Sequence, residues 1–374
     1  MAEVIIICGG TGGHLTPGIA IAERLLEKGH QPRLVISRKP IDSYFQRRYP
    51  QFEFVAVPGA AFGLKPTTLV RFLLNLVRAF GASFRLLRQR PDALVAFGGF
   101  LCVPFLILGR MLDIPVYLHE ANRVPGRTVR MFARLADHVY LPDGVRLLGL
   151  RPGSIRHLGM PLRREIQHVP KDEIRKRYNI PRHDKVLILV GGSQGALVLN
   201  QWVERYVKML AADGIHTFCI AGPDKKTERV EHMKSDSDAP VQIHWIPFAD
   251  NMADLYSLAD LVVCRSGAGT IAELVTCLCP SIQVPYPFAA DEHQEANARD
   301  LEKRGACVLV PQERIKTLYR EVMDLLFNDW LLSRMRQNLR ALNYSDAGDT
   351  LVRQLDMDLE EGKYLAERKE ASAQ

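Results

Sequence analysis

The sequence lacks the features of a secreted or membrane-spanning chain. Its seven cysteines are odd in number and include no C-x-x-C pair, which indicates neither a disulfide framework nor a zinc site. The most apolar window, 101–118, carries Arg110 and Asp113, so we expect no transmembrane helix. The short apolar run near the start has no basic segment before it, so we expect no signal peptide. These absences favour a reduced cytosolic protein.

Low-complexity segments and acidic metal-binding pairs are missing as well. Glycine and proline together make up 49 of 374 residues without clustering, so no long flexible linker is expected. No D-x-D pair lies beside a glycine-rich segment, and we predict no metal site. The length exceeds what one hydrophobic core holds and predicts two domains.

Charge is distributed unevenly between the two halves of the chain. Residues 1–164 contain 23 Lys and Arg against 10 Asp and Glu, whereas the remainder contains 26 against 32. Such asymmetry indicates that the first half meets something anionic.

Strand and helix patterns alternate along the chain, which predicts an α/β fold with parallel sheets. The apolar run Val4–Cys8 ends in GGTGGH and precedes a predicted helix from about Pro17 to Lys28. After a break near 159–164 the pattern restarts with Lys185–Val190 and GGSQGA. Two similar α/β halves are therefore expected.

The first glycine-rich loop carries a candidate base. His14 closes that loop, and a neutral imidazole accepts a hydroxyl proton near pH 7. Its alternative role is to cap the following helix. Glu120 follows the predicted strand Val116–His119 and is the second candidate; its alternative is a buried acid paired with an arginine.

The stretch 265–297, RSGAGTIAELVTCLCPSIQVPYPFAADEHQEAN, has the composition of a nucleotide site. A small-residue turn precedes a predicted helix from Thr270 to Cys277, whose N–H groups and dipole suit a phosphate. Glu273 lies three residues into that helix and could accept bonds from ribose hydroxyls. The alternative is a capping box with Thr270 as the N-cap and Glu273 at N3.

A second polar segment follows the next predicted strand. Asp291, His293, Gln294 and Asn297 would lie where that strand ends and a helix begins. Open parallel sheets bind ligands at this edge. The two loop–helix junctions together therefore suit a nucleotide sugar, with the second junction contacting the sugar hydroxyls.

Four motifs carry a resemblance over about residues 3–345: GGTGGHLTPG, GGSQGA, RSGAGTIAE and PYPFAADEHQEANA. In this order and spacing they resemble the MurG family, bacterial transferases that make lipid II from lipid I in peptidoglycan synthesis. The resemblance implies the GT-B architecture, two Rossmann-like domains with parallel sheets facing across a cleft. Residues 1–162, joined by a C-terminal helix at about 345–374, would form the acceptor and membrane-facing domain. Residues 163–344 would bind the UDP-sugar.

The resemblance also implies roles for the residues that match its motifs. On the donor side, Glu273 would hold the ribose, and Ser193 and Gln194 the diphosphate. The other donor contacts would be Ala249 at the uracil, the main chain of Ala268, Gly269 and Thr270 at the phosphates, and Gln294 with His293 at the sugar. Thr11, Gly12 and Gly13 would approach a phosphate or sugar, and Asn122 and Arg163 would face the cleft. Ala121 and Met160 depart from the family, which often has glutamine and asparagine there.

The implied chemistry is an inverting transfer of N-acetylglucosamine from UDP-N-acetylglucosamine to the muramoyl 4-hydroxyl of lipid I. It needs a base, for which His14 is the first candidate and Glu120 the second, and stabilisation of the leaving diphosphate. No cofactor is expected, and stimulation by a divalent cation is left open. One alternative is another GT-B enzyme, a glycolipid transferase or a UDP-N-acetylglucosamine epimerase. The other is a non-catalytic scaffold that binds nucleotides or anions on membranes.

The segment Phe62–Arg90 is a candidate membrane contact. It combines many apolar residues with arginines at 71, 78 and 85, a spacing that keeps them near one side of a helix. The alternative is an ordinary amphipathic helix whose apolar face packs into the core. We expect a peripheral protein on the cytoplasmic face of the inner membrane, acting in cell-wall biogenesis and hence in cell shape, division and the cell cycle. Its expected partners are UDP-N-acetylglucosamine, lipid I, anionic inner-leaflet lipid and cell-wall synthesis proteins, without nucleic acid.

Overall fold

The computed structural model describes residues 1–59, 66–151, 153–192, 195–222, 227–342 and 347–373. Side chains are described throughout these ranges except in 40–41, 66–73 and 363–373. The chain divides into two compact units. Unit 1 comprises Met1–Ala121, Pro125–Arg163 and Ser345–Gln374, and unit 2 comprises Asn122–Val124 and Arg164–Tyr344. The sequence-based boundary, between residues 162 and 163, differs by one residue from this division.

Strands and helices alternate through most of the described chain. The strands are β1 (Glu3–Ile7), β2 (Gln31–Ile36), β3 (Glu53–Ala56), β4 (Ala93–Ala96), β5 (Val116–His119), β6 (His138–Leu141), β7 (Ile155–His157), β8 (Lys185–Val190), β9 (Ile215–Ile220), β10 (Arg229–Lys234), β11 (Pro240–Ile246), β12 (Leu261–Cys264), β13 (Ser281–Gln283) and β14 (Cys307–Leu309). The helices are α1 (Gly12–Glu27), α2 (Pro40–Arg48), α3 (Pro66–Leu87), α4 (Cys102–Met111), α5 (Arg127–Phe132), α6 (Lys171–Tyr178), α7 (Leu197–Ala212), α8 (Met252–Leu258), α9 (Ala268–Thr276), α10 (His293–Lys303), α11 (Leu318–Leu326), α12 (Asp329–Leu342) and α13 (Ala347–Ala373).

Unit 1 is built on a parallel sheet with the described strand order β3-β2-β1-β4-β5-β6-β7. Strand β1 is central, and its side chains alternate between two cores. Val4 and Ile6 pack with α1 and α13 on one face, whereas Ile5 and Ile7 pack with α3 and α4 on the other. Because both faces are covered by helices, the strand is apolar at successive positions rather than at alternate ones.

The last helix, α13, packs on unit 1 although it follows unit 2 in sequence. Leu351, Val352 and Leu355 are fully buried in the same core as α1. Asp356 pairs with His30 on one side, and Asp358 accepts a 2.7 Å hydrogen bond from the Tyr117 hydroxyl. These contacts make α13 an integral part of unit 1.

The six parallel strands of unit 2 repeat the order of β3 to β6 in unit 1, and an antiparallel edge strand is added while a counterpart of β7 is missing from the described sheet. Its described order is β10-β11-β9-β8-β12-β13-β14, with every neighbouring pair parallel except β10 and β11. The antiparallel β10 was not predicted from the sequence. Its residues, RVEHMK, are mostly exposed and polar because an edge strand has only one neighbour and little core contact.

The reversal of strand order fixes where ligands can approach each unit. In unit 1 the crossovers diverge between β1 and β4, and in unit 2 between β8 and β12. Open α/β sheets leave a crevice at the carboxyl ends of such strand pairs. None of the described helices has the length and hydropathy that a membrane-spanning helix requires.

Candidate active site

In unit 2, helix α9 begins immediately beyond the carboxyl end of β12. Its N-cap is Gly267, whose φ of −66° and ψ of 140° are extended and which has no side chain to bond the first turn. The first-turn residues are Ala268, Gly269 and Thr270, and all three are half-buried. Backbone N–H groups at such a start, together with the helix dipole, form a seat for an anion.

The capping-box alternative for Glu273 is wrong. It requires Thr270 as the N-cap, but the helix begins at Ala268, which puts Thr270 at N3 and Glu273 in the second turn. The smaller residues Gly267 and Ala268 let the backbone enter the helix earlier than the sequence pattern predicts. Glu273 is therefore not the N3 residue of a capping box.

The Glu273 carboxylate is oriented by a buried tyrosine instead. The Tyr256 hydroxyl, from α8, donates a 3.1 Å hydrogen bond to Glu273 Oε2. Burial, followed by the charge of Glu273, raises the pKa of Tyr256 well above its usual value. The hydroxyl therefore stays protonated and remains a donor to the half-buried carboxylate.

The glycine loop after β8 requires two of its glycines. A Cβ at Gly195, where φ is +68°, would lie 1.9 Å from the Ala221 carbonyl oxygen. A Cβ at Gly191 would lie 2.1 Å from the Ala196 nitrogen. The predicted diphosphate contacts Ser193 and Gln194 lie outside the described residues.

The residues predicted to contact the sugar lie at the start of α10. Gln294 is half-buried, and its Oε1 accepts a 2.9 Å hydrogen bond from the Tyr286 backbone N–H. His293 Nδ1 lies 2.7 Å from the Ala290 carbonyl oxygen; since a carbonyl only accepts, the proton is on Nδ1. Ala249, the predicted uracil contact, is half-buried between β11 and α8.

Sequence reasoning missed Arg265, which connects the ends of two strands. Its buried guanidinium donates 3.0 Å hydrogen bonds to the carbonyl oxygens of Val284 and Pro285 and a 2.6 Å bond to Gln312 Oε1. It also lies 5.4 Å from the centroid of the Tyr286 ring. An arginine directly after a buried strand was the available signal.

Asn297 holds a second buried polar network in unit 2. Its Nδ2 donates to the Ser266 carbonyl oxygen and to Asn122 Oδ1, each at 3.1 Å, and its Oδ1 accepts from the Arg123 N–H at 2.8 Å. The predicted acceptor-side residue Asn122 is thus grouped with unit 2. The Ser266 hydroxyl, fully buried, has no hydrogen-bond partner among the described residues.

In unit 1, α1 begins five residues earlier than predicted. Thr11 is the N-cap, and Gly12, Gly13 and His14 form the first turn, so His14 lies in the helix rather than on the preceding loop. Pro17 was predicted to begin the helix but lies inside it. Because proline has no N–H, the Gly13 carbonyl has no helical partner at Pro17.

His14 lies against the glycine turn that follows β4. A Cβ at Gly99, where φ is +75°, would be 3.0 Å from the His14 Cε1 atom. Burial lowers the pKa of His14, Glu120 raises it in part, and Lys39 lowers it. The imidazole is therefore neutral near pH 7, as a general base must be.

Glu120 is buried close enough to influence His14. Its Oε2 accepts a 2.7 Å hydrogen bond from the Gly126 N–H, at the start of α5. Lys39, which sequence reasoning missed, donates a 2.6 Å bond to the Gly10 carbonyl oxygen and adds positive charge to the glycine turn. The two candidate bases and one lysine thus meet at the β1–β4 edge.

Arg163 is placed in unit 1 rather than in the predicted second domain. Its guanidinium is buried, donates a 3.0 Å hydrogen bond to the Tyr49 hydroxyl and lies 5.9 Å from the centroid of the Phe45 ring. These contacts secure α2. Its contribution to a reaction stays a prediction.

In the part of the chain that the structure describes, no group of three or more His, Cys, Asp or Glu side chains is arranged to hold a metal ion. All seven cysteines are buried, and none of them forms a disulfide bond.

Two doubly wound α/β units with polar residues at their strand switch points are the fold of the GT-B glycosyltransferases. The glycosyltransferase family 28 N-terminal domain model matches residues 4–141, and the family 28 C-terminal domain model matches residues 186–351. The chain belongs to glycosyltransferase family 28, and the resemblance predicted from the four motifs is confirmed.

Curated relatives match over almost their whole length. A protein of Opitutus terrae is 43% identical over 95% of each chain, and one of Desulforudis audaxviator is 36% identical over 94% of this chain and 96% of its own. Both are named UDP-N-acetylglucosamine--N-acetylmuramyl-(pentapeptide) pyrophosphoryl-undecaprenol N-acetylglucosamine transferase.

Among solved structures, Acinetobacter baumannii MurG superposes with a TM-score of 0.72. It is 24% identical and covers 96% of this chain and 100% of its own. At this identity the likeness shows the fold, and the predicted GT-B fold class is confirmed.

Proposed function

We propose that this chain moves N-acetylglucosamine from UDP-N-acetylglucosamine to the muramoyl 4-hydroxyl of undecaprenyl-diphosphate-N-acetylmuramoyl-pentapeptide, with inversion. The full-length similarity to relatives named for this transfer supports the assignment. The observation that carries it is the β12–α9 junction. There a helix start without a side-chain cap and a tyrosine-held carboxylate lie on one helix, Gly267 and Glu273 being about 1.7 turns apart.

The start of α9 is the proposed binding site of the leaving diphosphate. A diphosphate bound there would meet the N–H groups of the first turn and the positive end of the helix dipole. As the glycosidic bond breaks, its electron pair goes to the diphosphate oxygen, where these fixed donors stabilise the developing charge. Glu273 would meanwhile hold the ribose hydroxyls and keep the nucleotide in register.

His14 would act as the general base for the attacking acceptor hydroxyl. The acceptor oxygen forms a bond to the anomeric carbon, and its proton passes to the neutral imidazole. Burial favours the neutral form before the reaction, while Glu120 favours the protonated form that results. Glu120 therefore supports the base, and it remains the second candidate for that role.

Helix α3 is the proposed membrane contact. Leu74, Val77 and Phe84 are exposed by 55%, 71% and 49%, and Arg78 and Arg85 are exposed on the same side of the helix. The opposite side, with Ala79 and Leu87, is buried. An ordinary core helix would bury its large apolar residues, so this mixed exposed face supports an interface with acyl chains and anionic headgroups. Residues 60–65, and the side chains of 66–73, lie outside the described part.

The proposed acceptor is a lipid, which explains why the protein would contact a membrane. An undecaprenyl chain keeps lipid I in the bilayer, so its transferase must work at the surface. We accordingly propose peripheral attachment at the cytoplasmic leaflet, with neighbouring cell-wall synthesis proteins as partners and roles in cell shape and division.

The test is an assay with purified protein, UDP-N-acetylglucosamine and a soluble lipid I analogue. The expected result is a disaccharide product with one UDP released per transfer. The product should also form in the presence of a chelator, because main-chain N–H groups carry the diphosphate charge. Conversion of UDP-N-acetylglucosamine without acceptor would indicate an epimerase, and UDP binding without product would indicate a scaffold.

A further inference from the structure

A basic cavity of about 370 Å³ lies at the amino edge of the unit 2 sheet. It is bounded by α6, by the segment between α8 and β12, by the end of α9 and by α12. Asp260, in its wall, directly precedes β12, whereas the α9 start follows the carboxyl end of the same strand. The cavity thus lies at the opposite end of β12 from the proposed donor site, although Tyr256, whose hydroxyl bonds Glu273, also lines it.

Positive side chains outnumber carboxylates in the cavity wall. The wall contains Lys171, Arg175, Arg182, Arg336 and Arg340 against the carboxylates of Asp172 and Asp260. Its volume falls in the range of small-molecule sites, roughly 300–1,000 Å³. Charge and size both suit a small anion.

Three of these cations converge on Asp260. Lys171 pairs with its Oδ1, Arg175 Nη2 lies 3.3 Å from Oδ2, and Arg336 Nη2 lies 4.0 Å from Oδ1. The same carboxylate accepts a 2.9 Å hydrogen bond from the Val186 N–H. One carboxylate is thus the ion-pair partner of three positive side chains.

The remaining arginines differ in their partners. Arg182 pairs with Asp172, its Nε lying 3.1 Å from Oδ1. Arg340 is exposed and has no ion pair among the described residues. It lies one helical turn beyond Arg336 on α12, so both guanidinium groups belong to one face of that helix.

Two of the cations in the wall, Arg175 and Lys171, are largely shielded from solvent. Arg175 is 5% exposed and is held by a 2.8 Å hydrogen bond from its Nη2 to the Asp184 carbonyl oxygen. Burial lowers the pKa of Lys171, and Arg175 and Arg336 lower it further, against the opposing effect of Asp260. Cations crowded in a partly desolvated wall attract an anion more strongly than they would in water.

The end of α9 does not balance this charge. Cys277 and Leu278, which follow the helix, also line the cavity, and a helix C-terminus carries about half a negative charge. Half a charge cannot offset the surplus left by Lys171, Arg336 and Arg340. The cavity wall therefore keeps a net positive charge.

We propose that this cavity is a second anion site, which binds a phosphate group. Guanidinium forks match phosphate oxygens, and Lys171 adds a point charge. The phosphate can come from a free phosphorylated solute or from a phospholipid headgroup.

The experiment uses the full chain saturated with UDP, so that the proposed donor site is filled. Inorganic pyrophosphate is then titrated calorimetrically into wild type and into the Arg336→Ala/Arg340→Ala variant. Loss of two charge-assisted contacts should weaken binding by at least about tenfold. Arg334→Ala is the matched control, because Arg334 lies exposed on the same helix and bonds Gln337; it should bind like wild type.

The outcomes separate the sources and the failure. Loss of binding to phosphatidylglycerol vesicles, but not to phosphatidylcholine vesicles, in the double variant would identify a headgroup. Loss of pyrophosphate binding alone would identify a free phosphate. No pyrophosphate binding by UDP-saturated wild type, or equal affinity in the double variant, would overturn the proposal. If the double variant folds poorly, Arg340→Gln alone, at an exposed position, provides the same comparison.

Discussion

The hydroxyl of Tyr256 donates a 3.1 Å hydrogen bond to the carboxylate of Glu273. The two residues lie on consecutive helices, α8 and α9, with strand β12 between them in sequence. Tyr256 is 2% exposed, so core packing fixes the position of its hydroxyl. The hydrogen bond from that hydroxyl in turn orients the Glu273 carboxylate.

Glu273 and Tyr256 should differ in their effects on UDP binding. Glu273→Ala removes an ionised acceptor and should weaken binding by about 1.5–3 kcal/mol, whereas Glu273→Gln should lose less. Tyr256→Phe removes only the orienting bond and should cost about 0.5–1.5 kcal/mol. Calorimetric titration with UDP checks all three. An alanine variant that is folded and binds UDP normally would exclude Glu273 as a ribose contact.

His14 should be required for turnover and should set the acidic limb of the rate profile. His14→Ala should lower kcat by about 10²–10⁴-fold with little change in UDP affinity. Burial lowers the pKa of His14 below its usual 6.5, so the wild-type rate should hold at neutral pH and fall only in more acidic solution.

The same profile tests Glu120. Its charge raises the pKa of His14, so Glu120→Gln should move the acidic limb to still lower pH. Measuring kcat against pH for both proteins checks the direction. A limb that is unchanged or moves upward would remove Glu120 as a support for the base, and near-normal turnover by His14→Ala would make Glu120 the leading candidate.

The exposed face of α3 should control membrane attachment. Each arginine near an anionic surface contributes about 1 kcal/mol, so Arg78→Glu/Arg85→Glu should release the protein from anionic vesicles. Turnover with a short, water-soluble acceptor should persist. Arg320→Glu/Arg334→Glu, two exposed positions in unit 2, makes the same change in net charge and should still bind. Equal sedimentation of all three proteins at low and high salt would contradict the proposal.

His244 should make unit 2 sensitive to acid. Its ring stacks on Phe218 at 4.2 Å, and burial, with help from His216 and His232, lowers its pKa to about 4. The unfolded chain binds this proton at about pH 6.5. His244 therefore stabilises unit 2 above pH 6.5, and up to about 3 kcal/mol is lost as the pH falls from 6.5 to 4.

Tryptophan fluorescence measures this loss selectively. The three tryptophans, 202, 245 and 330, all belong to unit 2. In denaturant titrations at pH 7 and pH 5, His244→Phe should show a smaller drop in unfolding free energy than wild type. His183→Gln, at an exposed position, is the control and should match wild type. Identical drops in wild type and His244→Phe would refute the assignment.

Local pattern was enough to predict much of the fold. Buried parallel strands such as β1 and β8 are continuous apolar runs, because helices cover both of their faces. The loops that follow these strands could be recognised in the sequence by their glycines. Glycine is required there because a Cβ at Gly9 would lie 2.3 Å from the Ser37 nitrogen. Edge strand β10 was missed because exposed alternating polar residues also suit a loop.

The sequence by itself determined two α/β units, the glycine turns and the family, because these depend on residue types in close succession. Only the tertiary structure decided which residue caps α9, that Tyr256 holds Glu273 and that Arg163 packs against Tyr49. These partners are distant along the chain. Packing of whole helices and strands brings them together, and no short stretch of residues specifies that.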